Sequence, residues 1–157
     1  MNLSANHATF TIVRDLPGSP RHAFRFWSEI DLKRSWNSCH PDWATVEASF
    51  DFRMGGSEVA RWRTPDGEQR GFRAHYFEIV PGARIIYAYE MTLDSRCLST
   101  SLATVEFAAK GAQSTMTFTE QAVFLDADGD PAARAAGTEI GFERLVAVME
   151  QQRSAQH

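Results

Sequence analysis

The chain of 157 residues is short of several features that would each point to a class of function. No run approaches the roughly 18 apolar residues of a helical membrane span, so insertion into a bilayer is not expected. No lysine- or arginine-rich run offsets a formal net charge of −4, which argues against a nucleic-acid or anionic-membrane partner. Only two cysteines occur, Cys39 and Cys97, and they are distant in sequence. Two free thiols in a cytoplasmic chain are the plain reading, with a single disulfide as the alternative. The start, MNLSANHATF, lacks the basic region and apolar run of a secretory signal. Repeats, low-complexity tracts and linkers are also missing. Residues 1–157 are therefore expected to form one domain, with a core from about 8 to 152, in the cytoplasm.

What the chain does contain is apolar and aromatic bulk. It is 43% hydrophobic and 23% charged, a globular balance, and it carries eleven phenylalanines and four tryptophans. That supply suits either a large core or an apolar pocket. Residues 8–15 (ATFTIVRD) alternate, with Phe10 and Ile12 on one side, and predict a strand. Ser19 and Pro20 then form a helix start, with Ala23, Phe24 and Trp27 on one face, and Asp31 is placed to cap a second short helix through Trp36. From residue 44 onward the period is two. ATVEASFDFR directs Val46, Ala48, Phe50 and Phe52 inward, and five further strands follow, separated by glycine-containing turns such as TPDG, Pro81-Gly82 and Lys110-Gly111. Strands joined so tightly must be antiparallel neighbours. Asp130 and Pro131 open a long final helix, whose stripe of Thr138, Gly141, Phe142, Leu145, Val148, Met149 and Gln152 faces inward. A strongly twisted sheet wrapped around that helix would bury both apolar faces, and Gly137 and Gly141 would allow close packing or leave room.

One residue breaks the pattern. In TMTFTEQAVF (115–124), Met116, Phe118, Ala122 and Phe124 share an apolar face, and Glu120 lies in the middle of it. An unpaired buried carboxylate costs several kcal/mol, roughly, so a partner is expected. Arg134 projects onto the inward stripe of the final helix and is the candidate.

Other constellations fall short of chemistry. Cys39, His40 and Asp42 in SCHPDW lack the second ligand pair of a zinc site. DADGDP (126–131) begins like a calcium loop, but Pro131 and Gly137 stand where glycine and glutamate are needed. GGSEV lacks the closing glycine of a nucleophile elbow. His75 shares its strand face with Arg73 and Phe77, an exposed or hydrogen-bonded setting that does not suggest a catalytic base.

Taken with SPRHAFRFWSEIDLKRSW, FDFRMGGSEV, FEIVPGARIIYAYEM, SLATVEF, TFTEQAVFLD and GTEIGFERLVAVME, this order of elements resembles the helix-grip fold of the START-related (SRPBCC) superfamily. Within it, the chain is most similar to homologues of the C-terminal domain of the activator of the heat shock protein ninety ATPase. The resemblance implies an α+β fold: a seven-stranded antiparallel sheet around a long C-terminal helix, with two short helices after the first strand. It also implies a cup for a small lipophilic ligand, since the superfamily includes steroid and lipid carriers, hormone receptors and polyketide aromatase/cyclases. On that reading Glu120 and Arg134 supply the polar contact, and Tyr87, Tyr89, Met91, Trp36, Trp62, Phe118 and Gly141 line the site. No cofactor, metal or catalytic residue is assigned, and a homodimer is expected by analogy with related folds. The alternatives are a cyclase- or hydrolase-like enzyme using Glu120 as acid or base, and a co-chaperone-like interaction module. The first needs a carboxylate that holds a proton, whereas an arginine neighbour favours the ionised form. The second belongs to proteins with an additional N-terminal domain, for which 157 residues leave no room.

Overall fold

The alternation noted from residue 8 extends in both directions, and strand β1 runs Ala5–Leu16 in the computed structural model, which describes residues 5–125 and 129–155. Its inward residues Ile12 and Leu16 are buried. Helix α1 (Pro20–Ser28) starts as expected: Ser19 Oγ accepts a hydrogen bond from the His22 amide at 3.2 Å, and Pro20 sits where no amide hydrogen is needed. Helix α2 (Ile30–Trp36) begins earlier than expected. Asp31 lies inside its first turn, and Glu29 is the cap residue, with no side-chain capping bond. A single residue separates the helices. Glu29 therefore closes α1 by donating its amide to the Arg25 carbonyl (3.0 Å) and opens α2 by accepting from the Lys33 amide (2.8 Å).

Six strands follow: β2 (Ala44–Phe50), β3 (Ser57–Arg63), β4 (Gln69–Val80), β5 (Arg84–Leu93), β6 (Arg96–Lys110) and β7 (Gln113–Leu125). They form one sheet in the order β1-β7-β6-β5-β4-β3-β2, with antiparallel pairing throughout. Consecutive strands are neighbours except at the start, where the α1–α2 segment carries the chain from one edge of the sheet to the other. The β5–β6 turn uses Asp94 and Ser95 at φ of 49° and 69°, the left-handed geometry a two-residue hairpin requires. Asp94 is held there by two 2.8 Å hydrogen bonds with the Gln69 backbone, one accepted by its carboxylate and one donated by its amide.

The register slips at three places, between Thr45 and Glu47, between Tyr76 and Glu78, and between Met91 and Thr92. Such bulges bend a sheet and increase its twist, which lets this one curl around its contents. The first slip overturns one expectation. Val46 is the extra residue of the bulge and is 53% exposed, while Phe50 and Phe52 keep the inward sense and pack on Tyr76.

The chain closes with helix α3 (Pro131–Ala155). Asp130 caps it as expected, its Oδ1 accepting from the Ala132 amide at 3.0 Å; the rest of the acidic loop, 126–128, lies outside the described residues. Phe142, Leu145 and Met149 are buried along its inward stripe, against α2 and β1. Trp27, Trp36, Phe118 and Phe142 converge there with ring centroids 5.0 to 6.5 Å apart. Each such ring contributes about 1.5–3 kcal/mol by leaving water, so this knot holds both helical elements to the sheet. No helix among the described residues is long and apolar enough to cross a membrane.

Two glycines separate tight packing from open space. A Cβ at Gly56 would collide with the Asp51 carbonyl and the Arg53 backbone, whereas one at Gly141 would meet nothing within 4 Å. Gly56→Ala should therefore cost about 1–3 kcal/mol in urea unfolding. Gly141→Ala should instead stabilise α3 by up to about 1 kcal/mol, through helix propensity alone. Equal effects from the two substitutions would contradict this description of the packing.

Candidate functional site

Glu120 is buried on the concave face of β7, opposite Phe10 of β1 and Ala103 of β6, with none of its surface exposed. Strand alternation forces it inward along with Phe118 and Ala122, and three elements supply it with donors. Tyr89 of β5 donates its hydroxyl to Oε1 at 2.7 Å, and Ser101 of β6 donates to Oε2 at 2.9 Å. Arg134 of α3 reaches Oε2 at 3.4 Å, donates to Tyr89 Oη at 3.0 Å and donates to Ser99 Oγ at 2.7 Å. The guanidinium also lies over the rings of Phe124 and Tyr89, at 5.1 and 5.7 Å. Arg134 is thus the expected partner, but the shorter bonds to the carboxylate come from hydroxyls. Ser99 and Ser101, missed in the sequence, are fully or almost fully buried. They stand at period two with Ala103, Val105 and Phe107, so the inward face of β6 was readable, yet its two serines gained meaning only with Glu120 beside them.

Burial, reinforced by the charge of Glu120 and opposed by that of Arg134, holds the Tyr89 phenol well above its ordinary pKa. Tyr89 therefore stays protonated and serves as a donor.

A second buried charge pair went unnoticed in the sequence. Lys33 of α2 is 7% exposed and donates to Glu58 Oε1 of β3 at 2.5 Å, and Tyr76 of β4 donates to the same oxygen at 2.9 Å. The ammonium sits 5.0 Å from the centre of the Phe50 ring. The available signal was helical spacing, which sets Lys33 on the face of Trp36 three residues on. Between the two pairs the rings of Tyr76, Tyr87 and Tyr89 form a row, with centroids 5.8 and 5.9 Å apart.

The sequence-predicted residues divide by position. Glu120, Arg134, Tyr87, Tyr89 and Met91 gather on the concave face of β5 and β7 and the start of α3. Gly141 lies on α3 between Arg134 and Leu145, with open space above it. Trp36 and Phe118 belong to the aromatic knot instead, and Trp36 Nε1 is committed to the Phe26 carbonyl at 2.8 Å. Trp62 sits near the β2 edge, packed on Trp43 at 6.2 Å. Phe50, Phe72, Tyr87 and Met91 are only partly buried, so the concave face between α3 and strands β2–β5 is incompletely covered. Two shallow depressions of about 300 and 380 Å³ lie on the outer face of the sheet; both are lined by Arg73 and Glu90, the first also by His75, Ala88 and Thr100 and the second by Glu47 and Arg61. Arg73 is ion-paired with Glu90 and Arg61 with Glu47, so the second depression is a gap between solvated pairs. His75 is exposed on that face, edge-on to Phe77, consistent with its expected setting.

Comparison with known proteins agrees with this architecture. Residues 17–151 match the family described as activator of Hsp90 ATPase homolog 1-like protein. An uncharacterised protein from Rhizobium leguminosarum is 45% identical, with a TM-score of 0.89 over 96% of this chain and 99% of that one. The Mll3558 protein from Rhizobium loti is 36% identical, with a TM-score of 0.85 over 92% and 98%. An AHSA1-like protein from Aeromonas hydrophila shares the fold at 17% identity, with a TM-score of 0.67 over 92% and 94%. No curated protein matches the chain.

The asymmetry of the Glu120 network sets an order of costs. Glu120 cannot reach water, whereas the Arg134 side chain is 20% exposed and can turn outward. Arg134→Met should cost roughly 3 kcal/mol in urea unfolding at pH 7, because it strands a sealed carboxylate. Adding Glu120→Gln to that variant should restore part of the loss. A double variant less stable than the single one would contradict this order.

Proposed function

The chain belongs to the activator of Hsp90 ATPase homolog 1-like family, and from that premise we propose that it binds a small lipophilic molecule in the groove between the concave face and α3. One observation carries the reading. A partly exposed aromatic floor, with Phe72, Tyr87 and Met91 at its centre, adjoins a polar anchor whose arginine stands on α3, and Gly141, two helical turns on along the face of Arg134, has nothing packed against it. A solvated apolar face of this kind gains free energy when a ligand displaces water from it, and a few fixed polar groups orient what enters. Holding the phenol of Tyr89 and the guanidinium of Arg134 in place beforehand removes an ordering cost at the moment of binding.

An acid–base enzyme is less well supported. Glu120 has none of its surface exposed and already accepts from Tyr89, Ser101 and Arg134, so a substrate proton has no open approach to it. An interaction module is also less well supported, since the apolar residues exposed on the outer face, such as Phe77 and Leu102, stand among ion pairs of Arg73, Glu90 and Arg61.

Native mass spectrometry of the purified protein tests the proposal. A reproducible mass increment should be present, released on denaturation and identifiable as a small apolar molecule. Gly141→Leu, which places a side chain in the open space while keeping a good helix former, should abolish the increment without lowering the melting temperature. An empty protein that also takes up no apolar compound from an extract would defeat the reading.

A further inference from the structure

The groove's selectivity is legible in the one phenol of the tyrosine row that bonds to nothing. Tyr76 gives its hydroxyl to Glu58, and Tyr89 gives its hydroxyl to Glu120. Tyr87 stands between them on β5, facing Tyr76 across to β4 and the small, buried Ala103 across to β6. Its ring touches both neighbouring rings, at 5.8 and 5.9 Å, while its hydroxyl has no hydrogen-bond partner among the described residues. The described buried side-chain polar atoms that lack a partner are Trp27 Nε1, Arg70 Nε and Ser114 Oγ. Tyr87 Oη is not one of these sealed atoms, so on a half-buried side chain of the concave face it keeps some accessible surface.

The charges around it restrict what can bind. Glu58 and Glu120 flank the phenol, and each is already matched by a cation, Lys33 and Arg134 respectively. Burial first, then the neighbouring phenol and the two carboxylates, raise the Tyr87 pKa well above its ordinary value, which keeps the hydroxyl neutral and protonated. An anionic ligand would bring a third negative charge beside two carboxylates whose counter-ions are taken. A cationic ligand would meet Lys33 and Arg134. A ligand without a polar group would cover the hydroxyl and leave it unpaired, which costs free energy.

We infer that Tyr87 determines the specificity of the groove, and that the ligand is a neutral, flat aromatic molecule whose oxygen group hydrogen-bonds to Tyr87 Oη. This rests on the groove being a binding site. Flatness follows from the walls, since the rings of Phe72, Tyr87 and Tyr89 lie within 34° of parallel from one to the next and offer faces to stack on. Tyr87 acts here as a selector, and no bond-making step is assigned to it.

Three fluorescent probes of one shape separate the possibilities by titration at pH 7: 2-naphthol, neutral with a hydroxyl; 2-naphthoate, anionic; and naphthalene, with no polar group. The wild-type protein should bind 2-naphthol about tenfold more tightly than either of the others, although naphthalene is the most apolar of the three. Tyr87→Phe should bring 2-naphthol down to the level of naphthalene and leave naphthalene unchanged. The variant should melt with the wild type, because the atom removed has no partner in the protein. A clear loss of stability would show that the hydroxyl is structural and would overturn the inference. Tightest binding of 2-naphthoate would overturn it in favour of anion capture by Arg134. Equal binding of all three probes by both proteins would leave the groove standing and refute the role of Tyr87. Binding of none would refute both.

Discussion

A carboxylate sealed in an apolar face has to be answered from several directions, and the answer to Glu120 organises this protein. Both oxygens are satisfied, but no single element satisfies them: Tyr89 comes from β5, Ser101 from β6 and Arg134 from α3. The network is complete only when the sheet has its proper register and the helix its proper rotation. A helix turned by one residue would carry Arg134 away by 100° and leave the charge unpaired. Phe142 in the aromatic knot, with the buried Leu145 and Met149, supplies apolar adhesion between α3 and the rest, and contacts of that kind tolerate some sliding. Polar matching at Glu120 removes the tolerance. This division of labour, with apolar bulk for strength and a buried polar cluster for uniqueness, explains why an expensive residue can persist there.

Much of the architecture was legible because local chemistry and global packing agree. Ser19-Pro20 and Asp130-Pro131 mark helix starts by their own hydrogen-bonding capacity, and the alternation in β7 predicts the burial of Met116, Phe118, Ala122 and Phe124 residue by residue. Asp31 misled because a cap depends on where the previous helix ends, and Glu29 is shared between two. Val46 misled because a bulge breaks the period of two without leaving a mark in composition. The Glu120–Arg134 contact was inferable from two facing stripes. Its dependence on Tyr89, Ser99 and Ser101 was not, since side chains on three adjacent strands converge only once the register is known. Lys33 and Glu58 are further apart in character still: each looks like an ordinary surface charge until α2 is laid across β3.

The two buried ion pairs also make the groove electrically quiet. Each positive group is bound to a negative one, and a phenol caps each pair on the side of the aromatic row. Neutralising charge in place lets polar groups stand in an apolar surface without drawing water deeply into it. The concave face can thus present rings and one unpaired hydroxyl to the groove while four formal charges lie within the same layer.

The edge-to-edge order of the sheet has a consequence for how the chain acquires its shape. β1, which precedes the other strands of this sheet in the chain, has β7 as its neighbour, and Ala5 pairs with Leu125. Every other pairing joins strands adjacent in sequence. During synthesis the hairpins from β2 to β6 can assemble as they emerge, while β1 waits with Ile12 and Leu16 without their sheet partner until β7 has been made. Loop closure over that span adds only modestly to the entropic cost, yet it delays the contact. The ordering step that completes the sheet therefore comes late, at the same strand that brings Glu120 into place.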